Sequence, residues 1–173
     1  MNIEVNYKVA MQKITPNLWF DNEAEEAAKF YVSIFDNSKI LDISYYSADT
    51  PSNKPKGSVL TVSFELAGQK FLALNGGPFF KFNEAVSFIV DCGSQKEVDY
   101  YWSKLSAVPE SEQCGWLKDK FGVSWQIIPK QLTELMNDPD PAKARRVTEA
   151  MLQMKKIDIQ KLEEAHVGKL GQK

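Results

Sequence analysis

Hydrophobic and polar residues alternate along several short stretches of this chain, and in other stretches they recur at helical spacing. The clearest alternation lies in GSVLTVSFELAG (57–68), where Leu, Val, Phe and Leu occupy every second position. QKFLALN (69–75) follows across a short Ala-Gly turn. These two runs therefore predict a β-hairpin.

A strand-like run is followed by a helix-like run twice in the chain. ITPNLWF (14–20) precedes NEAEEAAKFYVSIF (22–35), and AVSFIVDC (85–92) precedes SQKEVDYYWSKL (94–105). In both helix-like runs, apolar side chains recur every three or four residues, as in a helix buried on one side. The pattern predicts a repeated strand–helix unit, although coincidence of two common strand–helix pairs is an open alternative.

Both predicted helices begin with a capping-box pattern, in which a polar cap is followed three residues later by Glu. Asn22 with Glu25 supplies this pattern in the first helix, and Ser94 with Glu97 supplies it in the second. We therefore expect Asn22 and Ser94 to start their helices.

Further strand candidates complete an α+β plan. SKILDISYYS (38–47) favours a strand, and CGWLKD (114–119) with VSWQIIP (123–129) predicts a second hairpin. Because parallel neighbours need long crossovers, these short turns favour mainly antiparallel sheets. We expect two βαβββ modules, the second trimmed, with one face of each sheet covered by a helix and the other meeting its counterpart or curving around a cavity.

The expected organisation has four parts. Residues 1–12 form an irregular leader, 13–83 the first βαβββ module, 84–129 the second, trimmed module and 130–173 a C-terminal helical extension. The extension changes character because its pattern is helical throughout.

An apolar stripe runs through the extension at roughly heptad spacing. Ala144, Val147, Met151 and Met154 form it, in a helix that Asp140 is expected to cap. The stripe predicts packing against its own domain or against a dimer mate.

Composition narrows the possible partners. The 173 residues carry a formal net charge of −2, with 43% hydrophobic and 25% charged residues, typical of a globular protein. No basic run suggests nucleic acid, and no apolar segment suggests a signal peptide or a membrane anchor. Two cysteines, Cys92 and Cys114, are too few for a disulfide framework. We expect a cytoplasmic protein that binds neither nucleic acid nor membrane.

Three stretches of the chain resemble a known family. ITPNLWFDNEAEEAAKFY, FLALNGGPFFKFNEAVSFIVDC and CGWLKDKFGVSWQIIP are similar to PhnB-like proteins, also called demethylubiquinone methyltransferase-like domains, of the vicinal oxygen chelate superfamily. Glyoxalase I and the bleomycin-resistance proteins belong to the same superfamily. The resemblance covers residues 14 to about 165. It implies paired modules that form incomplete barrels around a small-molecule cavity, and a homodimer.

The resemblance also bears on metal binding. In metal-using members, the last strand carries a Trp-Glu-Leu-like triplet whose glutamate binds a divalent ion. The matching triplet here is Trp125, Gln126 and Ile127. An amide oxygen is a weak ligand because it brings no charge to the cation.

The other ligand positions implied by the resemblance hold no imidazole. They fall near Thr15, around Val62 or Ser63, and near Ala85, whereas the single histidine, His166, lies in the tail. We therefore expect no metal.

The methyltransferase label implies a site for S-adenosylmethionine. Such sites commonly use a Gly-rich turn between a parallel strand and a helix. Gly76-Gly77 instead precedes Pro78 and a Phe-rich loop. We expect no cofactor, and the methyltransferase activity is judged unsupported by the sequence.

Strand parity selects candidate residues for the cavity. They are neutral amides and hydroxyls with aromatic walls, which suits a polar, planar or zwitterionic small molecule. That these groups satisfy one another inside a filled core stays open as an alternative. Parity gives Asn17, Trp19, Ser124 and Gln126, with Ser87 as the matching candidate from the fifth strand. Asn75 is added because it ends the fourth strand beside the Gly-Gly-Pro loop, and Trp116 as a residue that closes the rim.

The predicted function is the binding of a small polar molecule without the usual metal ligands. By fold-level analogy, sequestration of a toxic or antibiotic-like compound is one form of it. The alternative is a metal-assisted isomerase, lyase or oxygenase with an atypical site around Gln126, Ser87 and Glu84. Glu84 would then act as a general base if burial raised its pKa, whereas the favoured interpretation is a solvated charge at the strand end.

Overall fold

The fold is described by a computed structural model that covers residues 12–50 and 54–169. Residues 1–11 of the expected leader lie outside the described residues. The helices and strands run in chain order as β1 (Asn17–Phe20), α1 (Ala24–Val32), β2 (Lys39–Tyr45), β3 (Val59–Leu66), β4 (Gln69–Asn75), β5 (Ser87–Cys92), α2 (Gln95–Leu105), β6 (Trp116–Lys118), β7 (Ser124–Pro129), α3 (Lys130–Met136), α4 (Pro141–Met151) and α5 (Ile159–His166), with a short 3₁₀ helix at Pro109–Ser111.

The chain divides into two compact units, residues 1–81 and 82–173. The first contains a four-stranded sheet and the second a three-stranded sheet. The α+β class is confirmed, and neither sheet closes into a barrel.

Within the described ranges, no helix combines the length and apolar character needed to cross a bilayer.

The first sheet has the order β1-β4-β3-β2. The expected hairpin of β3 and β4 is confirmed, and its alternation buries Val62 and Phe64 against α1. Tyr31 of α1 stacks on Phe64 with ring centroids 6.3 Å apart, and Phe64 stacks on Phe71 at 5.4 Å. The helix therefore covers one face of this sheet.

The second sheet has the order β5-β7-β6, with α2 against the face that carries Trp125 and Ile127. The β6–β7 hairpin is antiparallel, as expected. The first and last strands of each unit, β1 with β4 and β5 with β7, pair in parallel, and the other three pairings are antiparallel. Each parallel pair brings the strand before the helix beside the last strand of its unit.

The C-terminal helices pack within the second unit. Val147 of the predicted stripe is fully buried with Leu132, Ile157 and Leu162, and Met151 packs against this cluster. Backbone hydrogen bonds of 2.7 and 2.8 Å also join residues 114–115 to residues 154–155. The stripe therefore packs against its own domain, one of the two expected alternatives.

The caps expected for α1 and α2 have different outcomes. Ser94 is the cap of α2, and its side chain accepts a hydrogen bond from the backbone of Glu97, as expected. Asn22 does not cap α1, because its Oδ1 accepts from the ammonium of Lys54. The Ala24 N–H at the start of α1 donates instead to the side chain of Asn75 at 2.9 Å.

Candidate functional site

The side of the second sheet opposite α2, here called the α2-distal face, brings several polar side chains together. Paired residues on neighbouring strands project to the same side of a sheet, so the register defines which side chains share this face. One row across the strands consists of Ser87, Ser124 and Lys118, and the next consists of Ile89, Gln126 and Trp116.

A hydrogen bond joins two of the predicted site residues on this face. Gln126 Nε2 donates to Ser87 Oγ at 2.9 Å. The contact uses one amide proton, while the Gln126 carbonyl oxygen and the Ser87 hydroxyl proton keep the capacity for further hydrogen bonds. Ile89, beside Gln126, is 60% exposed, so this row has an apolar edge open to solvent.

Ser124 is the most enclosed member of the face. Its side chain is 1% exposed, and Oγ has no hydrogen-bond partner among the described residues. An unsatisfied buried hydroxyl costs about 1–3 kcal/mol, which a bound water or ligand can offset. Ser124 is therefore a buried hydroxyl donor without an acceptor among the described residues.

Lys118 supplies the positive charge of this face, and sequence reasoning missed it. Its ammonium forms an ion pair with Glu84, which lies in the turn before β5. Hydrogen bonding to Lys118 is the main reason that the pKa of Glu84 lies below its usual value. The condition for a general base, a pKa of Glu84 raised by burial, is therefore not met, and its 61% exposed side chain agrees with a solvated charge at the strand end.

A tight turn at Cys114 and Gly115 leads into Trp116 at the start of β6. Cys114 and Gly115 both have left-handed backbone, with φ of 51° and 87°. A side chain on Gly115 would place its Cβ 3.1 Å from the carbonyl oxygen of Ile127, so glycine suits both the conformation and the space. Trp116 borders an open cavity of about 380 Å³, whose other lining residues are Glu84, Ser111, Gln113 and Cys114.

In the first unit, two predicted site residues share one face of β1. Asn17 is exposed, and Trp19 is half-buried, with its Nε1 donating to the carbonyl of Gly77 at 2.8 Å. Asn75 lies on the other, α1-covered side. Its Oδ1 accepts from Ala24, and its Nδ2 donates to the carbonyl of Val59 at 3.1 Å. The Asn75 amide is thus engaged in holding α1.

The predicted site residues gather best in the second unit. Four of the seven, Ser87, Trp116, Ser124 and Gln126, lie on the α2-distal face. Lys118 lies two residues after Trp116 in the same strand, and such residues project to the same face of a sheet. This spacing is the sequence signal that could have placed Lys118 among the site residues.

The positions at which the resemblance implies metal ligands carry no acidic or imidazole side chain. Thr15 lies before β1 and Ala85 lies in a turn. Of the two alternatives in β3, Val62 is fully buried in the α1 core and Ser63 is partly exposed. Gln126 offers an amide beside the Ser87 hydroxyl. Across the described ranges, no three His, Cys, Asp or Glu side chains form a group that could hold a metal ion. The neutral oxygen donors at the matched positions would give a divalent cation no charge compensation.

This arrangement of two small mixed sheets with helices is that of proteins with a vicinal oxygen chelate-like fold. A PhnB protein from Bacillus cereus is 38% identical, with a TM-score of 0.57, over 68% of this chain and 99% of that chain. Protein PA1353 from Pseudomonas aeruginosa, at 17% identity, shares the fold with a TM-score of 0.51 over 68% of this chain and 97% of its own. No curated protein matches.

A family model described as 3-demethylubiquinone-9 3-methyltransferase matches residues 12–128. The chain therefore belongs to this PhnB-like family of the vicinal oxygen chelate superfamily.

Proposed function

We propose that this protein binds a small polar molecule on the α2-distal face of its second sheet. The observation that carries the proposal is the polar row itself, in which a buried, unpartnered Ser124 hydroxyl lies next to Ser87 and Lys118. Ligand sites typically combine apolar walls with a few convergent polar groups, and Trp116 and Ile89 supply such walls in the adjacent row.

Methyl transfer is not part of the proposal, although the family description names it. A site for S-adenosylmethionine would need the glycine pair to be free for a cofactor. Gly76 lies against the Trp19 indole, and the carbonyl of Gly77 accepts from Trp19 Nε1. These residues lead towards β5 rather than into a helix. The contacts of this glycine pair do not fit that cofactor.

A homodimer is part of the proposal. β5 is an edge strand of its own sheet, as β1 is of the other, and edge strands present backbone groups that can pair with another chain. The resemblance to the PhnB-like family supports a homodimer as well. Light scattering after size-exclusion chromatography should give twice the monomer mass of 19.6 kDa, and a monomer at micromolar concentrations would count against it.

The binding proposal is tested by NMR on the full chain. The indole N–H signals of the four tryptophans are recorded while small amides, amino acids, hydroxyaromatics and carboxylates are added. Substitution of Trp116 by Phe identifies its signal. We expect at least one compound class to shift the Trp116 signal at millimolar concentration or below.

Gln126→Ala should weaken that binding about tenfold, because it removes a polar group that orients the ligand. Gln160→Ala removes an exposed amide on α5 and serves as the matched control. If no compound shifts Trp116, or if both variants weaken binding equally, the proposed site is wrong.

A further inference from the structure

The ion pair on the α2-distal face joins two side chains of very different exposure. The Lys118 side chain is 21% exposed, whereas that of Glu84 is 61% exposed. Lys118 is the only charged residue among the six that define the face. The cation is thus part of the sheet, while its carboxylate partner reaches in from the turn before β5.

We propose that this face takes a small carboxylic acid, whose carboxylate replaces that of Glu84 on Lys118 and accepts a hydrogen bond from Ser124. The inference rests on the proposed function and adds the chemical class of the ligand. In this view, Glu84 occupies the carboxylate position of an empty site and leaves when the ligand arrives.

The pairing register supports a shared position for one anion. Lys118 and Ser124 are direct partners in the antiparallel β6–β7 pair. The side chains of such partners have Cβ atoms about 5 Å apart, which is within reach of one carboxylate group. The unpartnered Ser124 hydroxyl needs an acceptor, and an ionised carboxylate is the strongest one available.

The Glu84 contact is well suited to exchange. Ion pairs with an exposed partner contribute little to stability, so their replacement by a second carboxylate costs little. Glu84 also lines the cavity of about 380 Å³ beside Trp116. When Glu84 leaves Lys118, an acid with its ring against Trp116 can direct its carboxylate to the ammonium.

The apolar parts of the face favour a planar hydrocarbon group on the acid. Trp116 and Ile89 flank Gln126 in the same row. An aromatic ring can stack on the indole, and the Gln126 amide is placed to contact polar substituents. An aryl or arylalkyl carboxylate therefore offers a ring for the apolar surface and an anion for Lys118.

The test uses acids and their amides as matched probes. Benzoate is compared with benzamide, and phenylacetate with phenylacetamide, by titration against the Trp116 indole signal. We expect the carboxylate to bind at least ten times more tightly than its amide at pH 7, because only the carboxylate pairs with the ammonium.

Variants then separate the roles of the residues. Lys118→Met should abolish the preference for the acid, and Lys118→Arg should retain most of it, which also controls for folding. Glu84→Gln should tighten carboxylate binding about three- to tenfold, since it removes the competing carboxylate. Ser124→Ala should weaken it about threefold or more, and Lys96→Met on the exposed side of α2 should change nothing.

The outcomes distinguish this inference from the function on which it rests. Acid and amide binding with equal affinity at Trp116 would overturn the inference and leave the small-molecule site in place. Absence of binding by every probe and every compound class would overturn both. Unchanged carboxylate affinity in Glu84→Gln would overturn the exchange at Lys118.

Discussion

The indole of Trp19 lies so close to Gly76 that a Cβ built on this glycine would stand 2.2 Å from Trp19 Cζ2. The same indole donates to the carbonyl of Gly77, and its ring meets Phe80 edge-on with centroids 4.9 Å apart. Trp19 therefore holds the Gly-Gly-Pro loop against β1. Trp19 was predicted from the sequence as part of a cavity wall, and in the structure its indole packs against this loop.

Gly76→Ala should destabilise the first unit, because the added methyl group cannot coexist with the indole where it lies. Overpacking of this kind typically costs about 1–3 kcal/mol. Urea unfolding monitored by circular dichroism measures the loss.

Gly93→Ala is the matched control, since the nearest atom to its Cβ would be Glu97 Oε2 at an ordinary 3.5 Å. In a Trp19→Ala background, Gly76→Ala should cost much less, because the clash has gone. Equal stability of the two alanine variants would contradict the close contact.

Elements with local signals were predictable from the sequence. The hairpin of β3 and β4 follows from alternation across one turn, and the Ser94 cap lies three residues from its donor at Glu97. The cap of α1 was not predictable in this way, because Asn75 lies 51 residues from Ala24. The local amide, Asn22, accepts from Lys54, and the distant amide of Asn75 accepts from the first turn of α1 in its place.

The candidate site likewise combines features with a local sequence signal and contacts between residues distant in the chain. Ser124 and Gln126 share a face by strand parity, which can be read from the sequence. The pairing of β5 with β7, which places Ser87 beside Ser124, connects residues 37 positions apart and has no local signal. Lys118 was missed because lysine at the end of a short strand reads as a solvated charge, and only its pairing with Ser124 assigns it to the site.

Asp119 is a buried carboxylate that closes the β6–β7 hairpin. Its side chain is fully buried and accepts hydrogen bonds from the backbone of Phe121 at 2.9 Å, the backbone of Val123 at 3.0 Å and Trp125 Nε1 at 2.8 Å. Asp119→Asn should cost about 3 kcal/mol, because the amide nitrogen would face a donor and leave it unsatisfied. Asp91→Asn, at an exposed strand position, should change the free energy of unfolding by less than about 0.5 kcal/mol. Similar urea midpoints for both variants would show that the Asp119 carboxylate is not needed.

The two cysteines should differ strongly in reactivity. Burial, reinforced by the negative charges of Glu97 and Asp91, raises the pKa of the Cys92 thiol to about 12. At pH 8 only about one Cys92 in ten thousand would be a thiolate, the reactive form. Cys114 is partly exposed. In Ellman's assay of the folded protein, Cys92→Ser should keep a readily labelled thiol and Cys114→Ser should not. Rapid labelling of Cys114→Ser would contradict the inert environment of Cys92, provided that circular dichroism shows it folded.

His166, the single histidine of the chain, contacts Asp138 with 2.7 Å between Nε2 and Oδ2. Hydrogen bonds from the Asp140 backbone and then from His166 lower the pKa of Asp138 below its usual 3.8. A carboxyl whose pKa is lower in the folded state stabilises it above the unfolded pKa, and this contribution is lost as pH falls through the folded pKa. Asp138→Asn should therefore lower the urea midpoint at pH 7, and the difference from the unsubstituted protein should shrink below about pH 4.

The matched control for this pH dependence is Asp36→Asn, an exposed aspartate in the first unit. It should leave the midpoint nearly unchanged from about pH 7 down to about pH 3, since surface substitutions away from specific contacts have small effects. Urea titrations at half-unit pH intervals measure both variants against the unsubstituted protein. A deficit in Asp138→Asn that stays constant through acid would mean that the carboxylate charge is not what stabilises the helical extension. In that case, the contact between α5 and the segment before α4 would depend on packing alone.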